Sequence, residues 1–275
     1  ETPDGQRHSD NRFTRLTGRP PIFLPGMTPT TVEAPIVVAA ANAGYVSELA
    51  GGGQVTEAIL RTRLDEITAQ LEPGQGIVFN ALYLDPYLWK LHYASDRLLV
   101  RLRQEGYPII GMTISAGIPP KEEAVEMLRD LHDNGIWLNA FKPGNDRQIK
   151  ELLAIADACP DLPILAHIEG GKAGGHHSWE DLDDLLVRHY GTLRRRPNLV
   201  LCVGGGIRNA DQGADYLTGS WSTALGMPAM PVDAVFIGTM AMAAKEACTS
   251  AAVKQALVAA PGTESWVSDG GSDGQ

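Results

Sequence analysis

Two histidines follow a run of glycines in GGKAGGHHSWED (170–181), between the apolar stretch LPILAHIE and the amphipathic LDDLLVRHY. Glycine this dense costs backbone entropy on folding, and it is used where another group must come close to the chain. An imidazole placed there can give up a proton near neutral pH or donate a hydrogen bond. His176, directly after Gly174 and Gly175, is positioned to reach over a substrate lying against the glycines. His177 could equally point away and cap a helix opening at Ser178, where Ser-Trp-Glu-Asp is a reasonable helix start. A structural role for both imidazoles is the third reading. Glu169 is a candidate to orient the loop or a histidine, whereas His8, His92, His132 and His189 lie in polar or helical contexts and are expected to be solvated.

The elements that must position these groups follow one repeating pattern. Short runs rich in Ile, Val and Leu occur at PIFLPG (21–26), YVSELA (45–50), GIVFNAL (76–82), PIIGMTI (108–114), GIWLNAFK (135–142), LPILAHIE (162–169), NLVLCVGG (198–205) and AVFIG (234–238). Segments of helical period separate them, the seventh weak around NADQGADYL and the eighth read as one helix over TMAMAAKEACTSAAVKQALVAA. Continuous apolar strands spaced by helices mean a parallel sheet buried on both faces. Eight such units in 275 residues fit a closed (β/α)8 barrel. The first strand is followed by PGMTPTT, not by the GxGxxG turn of an open nucleotide-binding sheet. SWSTALGMPAMP (220–231) reads as an insertion before the eighth strand. The boundaries expected are a polar linker over 1–18, one barrel over 19–261 and a polar segment over 262–275, a domain cut from a longer chain.

Barrel chemistry sits at the carboxyl ends of the strands. Gly204, Gly205 and Gly206 follow the seventh run, and Gly238 and Thr239 the eighth, where such barrels cradle phosphate with backbone N–H groups. Turns that merely need positive φ are the ordinary alternative. Gly26, Met27 and Thr28 follow the first run and offer close backbone contacts. Asn80 can pair with a flat heterocycle, or simply close a turn. Thr113 supplies a hydroxyl, with Ser115-Ala116-Gly117 beside it. Lys142 carries a charge suited to a ring that becomes anionic on reduction, or it reaches from the barrel to solvent. Together these describe a flat phosphorylated cofactor. FMN suits the set better than pyridoxal phosphate, which wants a Schiff-base lysine and a carboxylate for its pyridinium.

The formal net charge of −10 disfavours nucleic acid as a partner and fits small-molecule chemistry. No apolar run approaches the ~20 residues needed to span a bilayer, so no membrane role is expected. Cys159, Cys202 and Cys248 form no CxxC pair, which leaves no disulfide frame or metal site and points to a reducing cytoplasm. Arg194-Arg195-Arg196 reads as charge at a helix carboxyl end in preference to a carrier-protein contact.

GMTPTTV (26–32), ELAGGG (48–53), FKPG (141–144), GGKAGGHHSWED (170–181), YLTGSWS (216–222) and FIGTMAMAAKEA (236–247) together resemble the enoyl reductase domain of type I fatty acid synthases of the fungal and mycobacterial kind. The resemblance runs from about Arg19 to about Pro261. It implies an FMN-bound barrel, driven by NADPH, that reduces a trans-2-enoyl thioester on acyl carrier protein, with hydride passing from flavin N5 to the β-carbon. Related free-standing FMN enoyl reductases and nitronate monooxygenases carry a GGH at the same strand end, which matches His176 and not His177. FMN contacts carry over to Gly26, Met27, Thr28, Asn80, Thr113, Lys142, Gly174, Gly175, Gly204, Gly205, Gly206, Gly238 and Thr239. Family members often read GAG where this chain has Ser115-Ala116-Gly117. The implied setting is a homo-oligomeric multienzyme beside the other synthase domains. The rival readings are a nitronate monooxygenase-like flavin oxidase and a scaffold barrel whose flavin site has decayed.

Overall fold

A computed structural model describes residues 9–28, 30–174 and 177–262. Eight parallel strands close into one barrel in chain order. They are β1 (Ile22–Leu24), β2 (Val46–Ala50), β3 (Ile77–Leu82), β4 (Ile109–Ser115), β5 (Asn139–Phe141), β6 (Ile164–Glu169), β7 (Leu199–Gly204) and β8 (Ala234–Phe236). Closure is made by β8 on β1, with Val235 opposite Ile22 and Phe236 opposite Phe23. Every strand falls inside one of the apolar runs except β4, which runs one residue past its own to Ser115, so the (β/α)8 barrel read from the sequence is the fold.

The helices are α1 (Arg12–Thr17), α2 (Ala34–Asn42), α3 (Glu57–Thr68), α4 (Pro86–His92), α5 (Leu98–Gln104), α6 (Lys121–Asp133), α7 (Asp146–Ala158), α8 (Leu182–Arg194), α9 (Ala210–Thr218), α10 (Ser220–Thr223) and α11 (Ala251–Ala259). Several begin where a short polar side chain can take an otherwise unpaired N–H. Thr56, Asn145 and Asn209 accept from Ile59, Gln148 and Gln212 respectively.

Strand residues alternate between two cores, as a two-residue period requires. Leu49, Phe79, Ile114, Phe141, Ile168 and Val203 face the helices. Phe23, Val46, Val78, Ala140, Leu165, Val200, Cys202 and Phe236 fill the lumen. The lumen is therefore packed solid in its lower part. Burial raises the Cys202 thiol well above its ordinary pKa, consistent with a structural thiol.

Four features differ from the sequence reading. Residues 12–17, assigned to a linker, form α1 and close the lower end of the barrel. Phe13 is fully buried against the lumen core, and the Arg12 guanidinium donates to the carbonyls of Arg194, Arg196 and Leu199. Second, α4 precedes α5; Asp85 caps it and Pro86 opens it, a start signal present in the sequence but not read. Third, the segment after β8 is not one helix. A 3-10 turn over Thr239–Ala243 is followed by irregular chain, and α11 starts anew where the Ser250 hydroxyl accepts from Val253. Fourth, His92 and His189 are buried: His92 Nε2 lies 2.8 Å from the Gln54 carbonyl, and His189 Nε2 lies 2.5 Å from Asp146.

Removal of the floor residue measures what closing the barrel contributes. Phe13→Ala is expected to destabilise the protein by about 3–5 kcal/mol through lost burial and a residual cavity. Urea denaturation of both proteins checks this.

Candidate active site at the barrel mouth

Two residues beyond the apolar lumen positions of β2, β3, β5 and β6, toward the carboxyl ends of the strands, the lumen turns polar. Val46 is followed on its face by Glu48, Val78 by Asn80, Ala140 by Lys142 and Leu165 by His167. Gly111 leads in the same way to Thr113, and Glu169 continues the β6 row.

At the centre is Glu48, only 1% exposed. Its Oε2 accepts from the Gly26 backbone N–H at 2.6 Å and from Asn80 Nδ2 at 2.8 Å, and its Oε1 accepts from the Thr113 hydroxyl at 2.5 Å. A buried carboxylate is costly unless such donors surround it. Three residues predicted to meet a cofactor thus meet one another through a carboxylate that was not singled out. The sequence signal was a charged residue inside the apolar run YVSELA.

Asn80 is held at both ends, because the Ser115 hydroxyl donates to its Oδ1 at 2.7 Å. Thr113 has no exposed surface and lies beneath this layer, so it supports the mouth and does not line it. Gly26 must be glycine because a Cβ there would stand 2.5 Å from the Asn80 Cβ. Beside Asn80, Ala116 holds φ at 54°, a conformation that costs about 1–2 kcal/mol for a residue with a Cβ.

His167 lies below Glu48, packed between the rings of Phe23 and Phe236 at centroid distances of 4.6 and 5.5 Å. Its Nδ1 is 3.8 Å from Glu48, too far for a hydrogen bond, and its Nε2 has no partner among the described residues. Burial, reinforced by the charge on Lys142, lowers its pKa to about 3. The imidazole is accordingly neutral. Lys142 does not stand alone: its Nζ is 3.0 Å from Glu169, with both side chains nearly buried. Glu169 is thus, among the described residues, the partner of a lysine across β5 and β6.

Around this floor the loops interlock. The predicted phosphate turn at Gly204, Gly205 and Gly206 lies at the end of β7. A Cβ on Gly204 would come 2.0 Å from the Phe236 ring, and Gly205 and Gly206 hold φ at 101° and 89°. The fold therefore requires these glycines whatever approaches them. Met27 lies beside Gly238, and Gly174 lies beside Thr239, so the loops after β1, β6 and β8 adjoin. Thr28, Gly174 and Thr239 are exposed at the rim. Gly175 and His176 lie outside the described residues.

In the same loop Ser178 does not open a helix. Its hydroxyl donates to the Gly144 carbonyl, and α8 is capped by Asp181, which accepts from Asp183 N at 2.9 Å. Of the arginine cluster, Arg194 pairs with the buried Asp233 and Arg196 with Asp157, while Arg195 is exposed. Within YLTGSWS, Tyr216 donates to Asp183 at 2.7 Å and Trp221 Nε1 to the Met230 carbonyl at 2.9 Å, so the motif clasps the insertion to α8. Among the described residues, no group of three or more His, Cys, Asp or Glu is arranged to hold a metal, and no helix is long and apolar enough to cross a membrane.

The His167 environment sets a pH dependence. Its folded pKa lies below its unfolded value of about 6.5, so the unfolded chain binds the extra proton first. Stability from this residue is complete above pH ~6.5 and is lost as pH falls toward 3, at about 1.4 kcal/mol per unit. Between pH 6.5 and 5, before most carboxylates protonate, urea midpoints should fall in the wild type and fall less in His167→Gln.

Residues 163–273 match a family model described as "Fatty acid synthase subunit beta/Fas1-like, helical". The chain is 44% identical over 255 residues to the fatty acid synthase beta subunit aflB of Emericella nidulans, covering 92% of this chain and 12% of that protein. It is 40% identical over 258 residues to the fatty acid synthase subunit beta of Saccharomyces cerevisiae, covering 94% of this chain and 12% of that one. The chain thus spans only about an eighth of these relatives. Among solved structures, the enoyl reductase domain of MlnA from Bacillus amyloliquefaciens superposes with a TM-score of 0.64 at 14% identity, covering 90% of this chain and 60% of that one. Nitroalkane oxidase from Streptomyces ansochromogenes superposes with a TM-score of 0.62 at 18% identity, covering 90% and 72%. Those two likenesses show the barrel; the sequence identities show the descent, and the chain is a homologue of a segment of the fungal fatty acid synthase beta subunits.

Proposed function

We propose that the chain is an enoyl reductase barrel, with the floor helix α1 as part of its unit, that binds FMN and uses NADPH to reduce trans-2-enoyl thioesters on acyl carrier protein. The observation that supports this best is the polar floor of Asn80, Lys142 and Glu169 at the mouth, in a chain so close in sequence to fatty acid synthase beta subunits. The oligomeric synthase, with its other catalytic domains, is the proposed setting, and the cytoplasm the proposed compartment.

The residues present fit a flavin phosphate. The mouth offers a clamped carboxamide at Asn80, a cation at Lys142, and glycine backbone at Gly26, Gly204–Gly206 and Gly238. FMN, when bound, would supply two-electron transfer between NADPH and the enoyl thioester. Lys142 would hold negative charge at the ring, moderated by Glu169. Backbone N–H groups of Gly204–Gly206 and Gly238–Thr239 would take the phosphate, with Met27 and Thr28 on the facing rim and Gly174–Gly175 giving close approach. His176 is assigned to orient the thioester carbonyl and to donate the proton that the α-carbon takes up.

Both an enoyl reductase and a nitroalkane oxidase share the barrel, so architecture does not separate reductase from oxidase. Kinship with fatty acid synthases favours the reductase. The purified protein should show a flavin spectrum that NADPH bleaches anaerobically and a crotonyl thioester restores. Oxygen consumption with a nitroalkane, and no response to the thioester, would instead establish the oxidase; a colourless protein that takes up no FMN would leave a scaffold.

His176→Ala should retain FMN and lose enoyl reduction by about 100-fold or more, in the range expected for a proton donor. His177→Ala should stay near wild type. The reverse pattern in steady-state turnover moves the role to His177.

A further inference from the structure

Glu48 is nearly fully buried and ties together three of the elements that carry proposed flavin contacts. Its two oxygens take the Gly26 N–H of the loop after β1, the Asn80 amide at the end of β3 and the Thr113 hydroxyl of β4. A carboxylate accepts and cannot donate, so all three partners must turn hydrogens toward it. That fixes Asn80. Its Nδ2 faces Glu48, its Oδ1 faces the Ser115 hydroxyl, and only one N–H and one lone pair remain for a ligand. The Gly26 backbone is pinned over the same carboxamide, at a distance no side chain could occupy.

We propose that Glu48 is the positioning residue of this site: through the Gly26 N–H and the Asn80 amide it sets which atoms the floor presents to a bound flavin. The role rests on the flavin reading of the mouth. It is distinct from a generic demand of the barrel. Asp233, equally buried at the opposite end of the lumen, takes the Leu201 and Arg12 N–H groups and the Arg194 guanidinium, and holds α1 and β7 in place.

The test compares FMN dissociation constants, the visible band of bound flavin and thermal midpoints for wild type, Glu48→Leu, Glu48→Gln and Asp233→Asn, in the synthase that carries this chain. Glu48→Leu keeps the side-chain size and leaves the Gly26 N–H and the Asn80 amide with no acceptor, so it should weaken FMN about tenfold, the scale of one lost oriented hydrogen bond, and shift the visible band. Glu48→Gln can still turn one oxygen to Gly26 and Asn80 while the Thr113 hydroxyl accepts from its amide, so it should keep affinity within about twofold of wild type and leave the band in place. Asp233→Asn should lower the thermal midpoint and leave the flavin spectrum unchanged. A folded Glu48→Leu protein with wild-type affinity and spectrum overturns the proposal, as does a folded Glu48→Gln protein that binds FMN as weakly as Glu48→Leu. If Glu48→Leu does not fold, Glu48→Gln decides: an about tenfold loss of FMN affinity there overturns the proposal. A wild type that takes up no FMN overturns the flavin reading itself, and the proposal with it.

Discussion

A closed parallel barrel leaves no sheet edge, and every second strand residue must point into a space that has to be filled. The whole molecule follows from that constraint. In the lower lumen the requirement is met by Phe23, Val46, Val78, Leu165, Val200 and Phe236. In the upper lumen the same faces carry Glu48, Asn80, Thr113, Lys142 and His167. Glu48 is satisfied there from within by three donors, and Lys142 by Glu169, whereas the unbonded His167 imidazole stays neutral between two aromatic rings. The resulting network leaves little freedom in how the mouth is shaped. The bonds around Glu48 join β2, β3 and β4, with the loop after β1 tied in through Gly26, and the Lys142–Glu169 pair joins β5 to β6.

The strands were legible because a parallel sheet covered on both faces demands continuous apolar runs, and these runs are separated by helical periods of ordinary length. Helix starts were legible where Thr56, Asn145 and Asn209 offered side-chain caps. The segment after β8 was not, because its composition favours helix throughout. Ser250 offers its own cap in the middle of it, and a local capping bond decided against one continuous helix. α1 was hidden by its polar surroundings, since one phenylalanine, Phe13, carries its burial.

Residues after the strand ends drew attention because barrel chemistry lies there, and Asn80 and Lys142 do line the floor. Glu48 and His167 were passed over because they sit inside strands that read as apolar. Yet a charged or titratable residue on the lumen face of such a strand is the stronger signal, as it can persist only where partners or packing offset its burial. The glycines at 204–206 carry a different lesson. Their sequence suggested room for a ligand, whereas the Phe236 ring and left-handed backbone already demand them.

The floor helix has a consequence for how the molecule is made. Arg12 is satisfied by the carbonyls of Arg196 and Leu199, 184 and 187 residues further along the chain. During synthesis the first helix therefore waits, unanchored, until the seventh strand has been produced. At about 5–20 residues per second that interval lasts roughly 10–40 s. For its duration Phe13 is an apolar group with nowhere to go, and the nascent half-barrel exposes an unclosed sheet edge. The last strands thus do more than complete a ring, because their arrival lets α1 dock against the barrel. A ribosome pause between β6 and β7 would prolong the stage most open to misassembly.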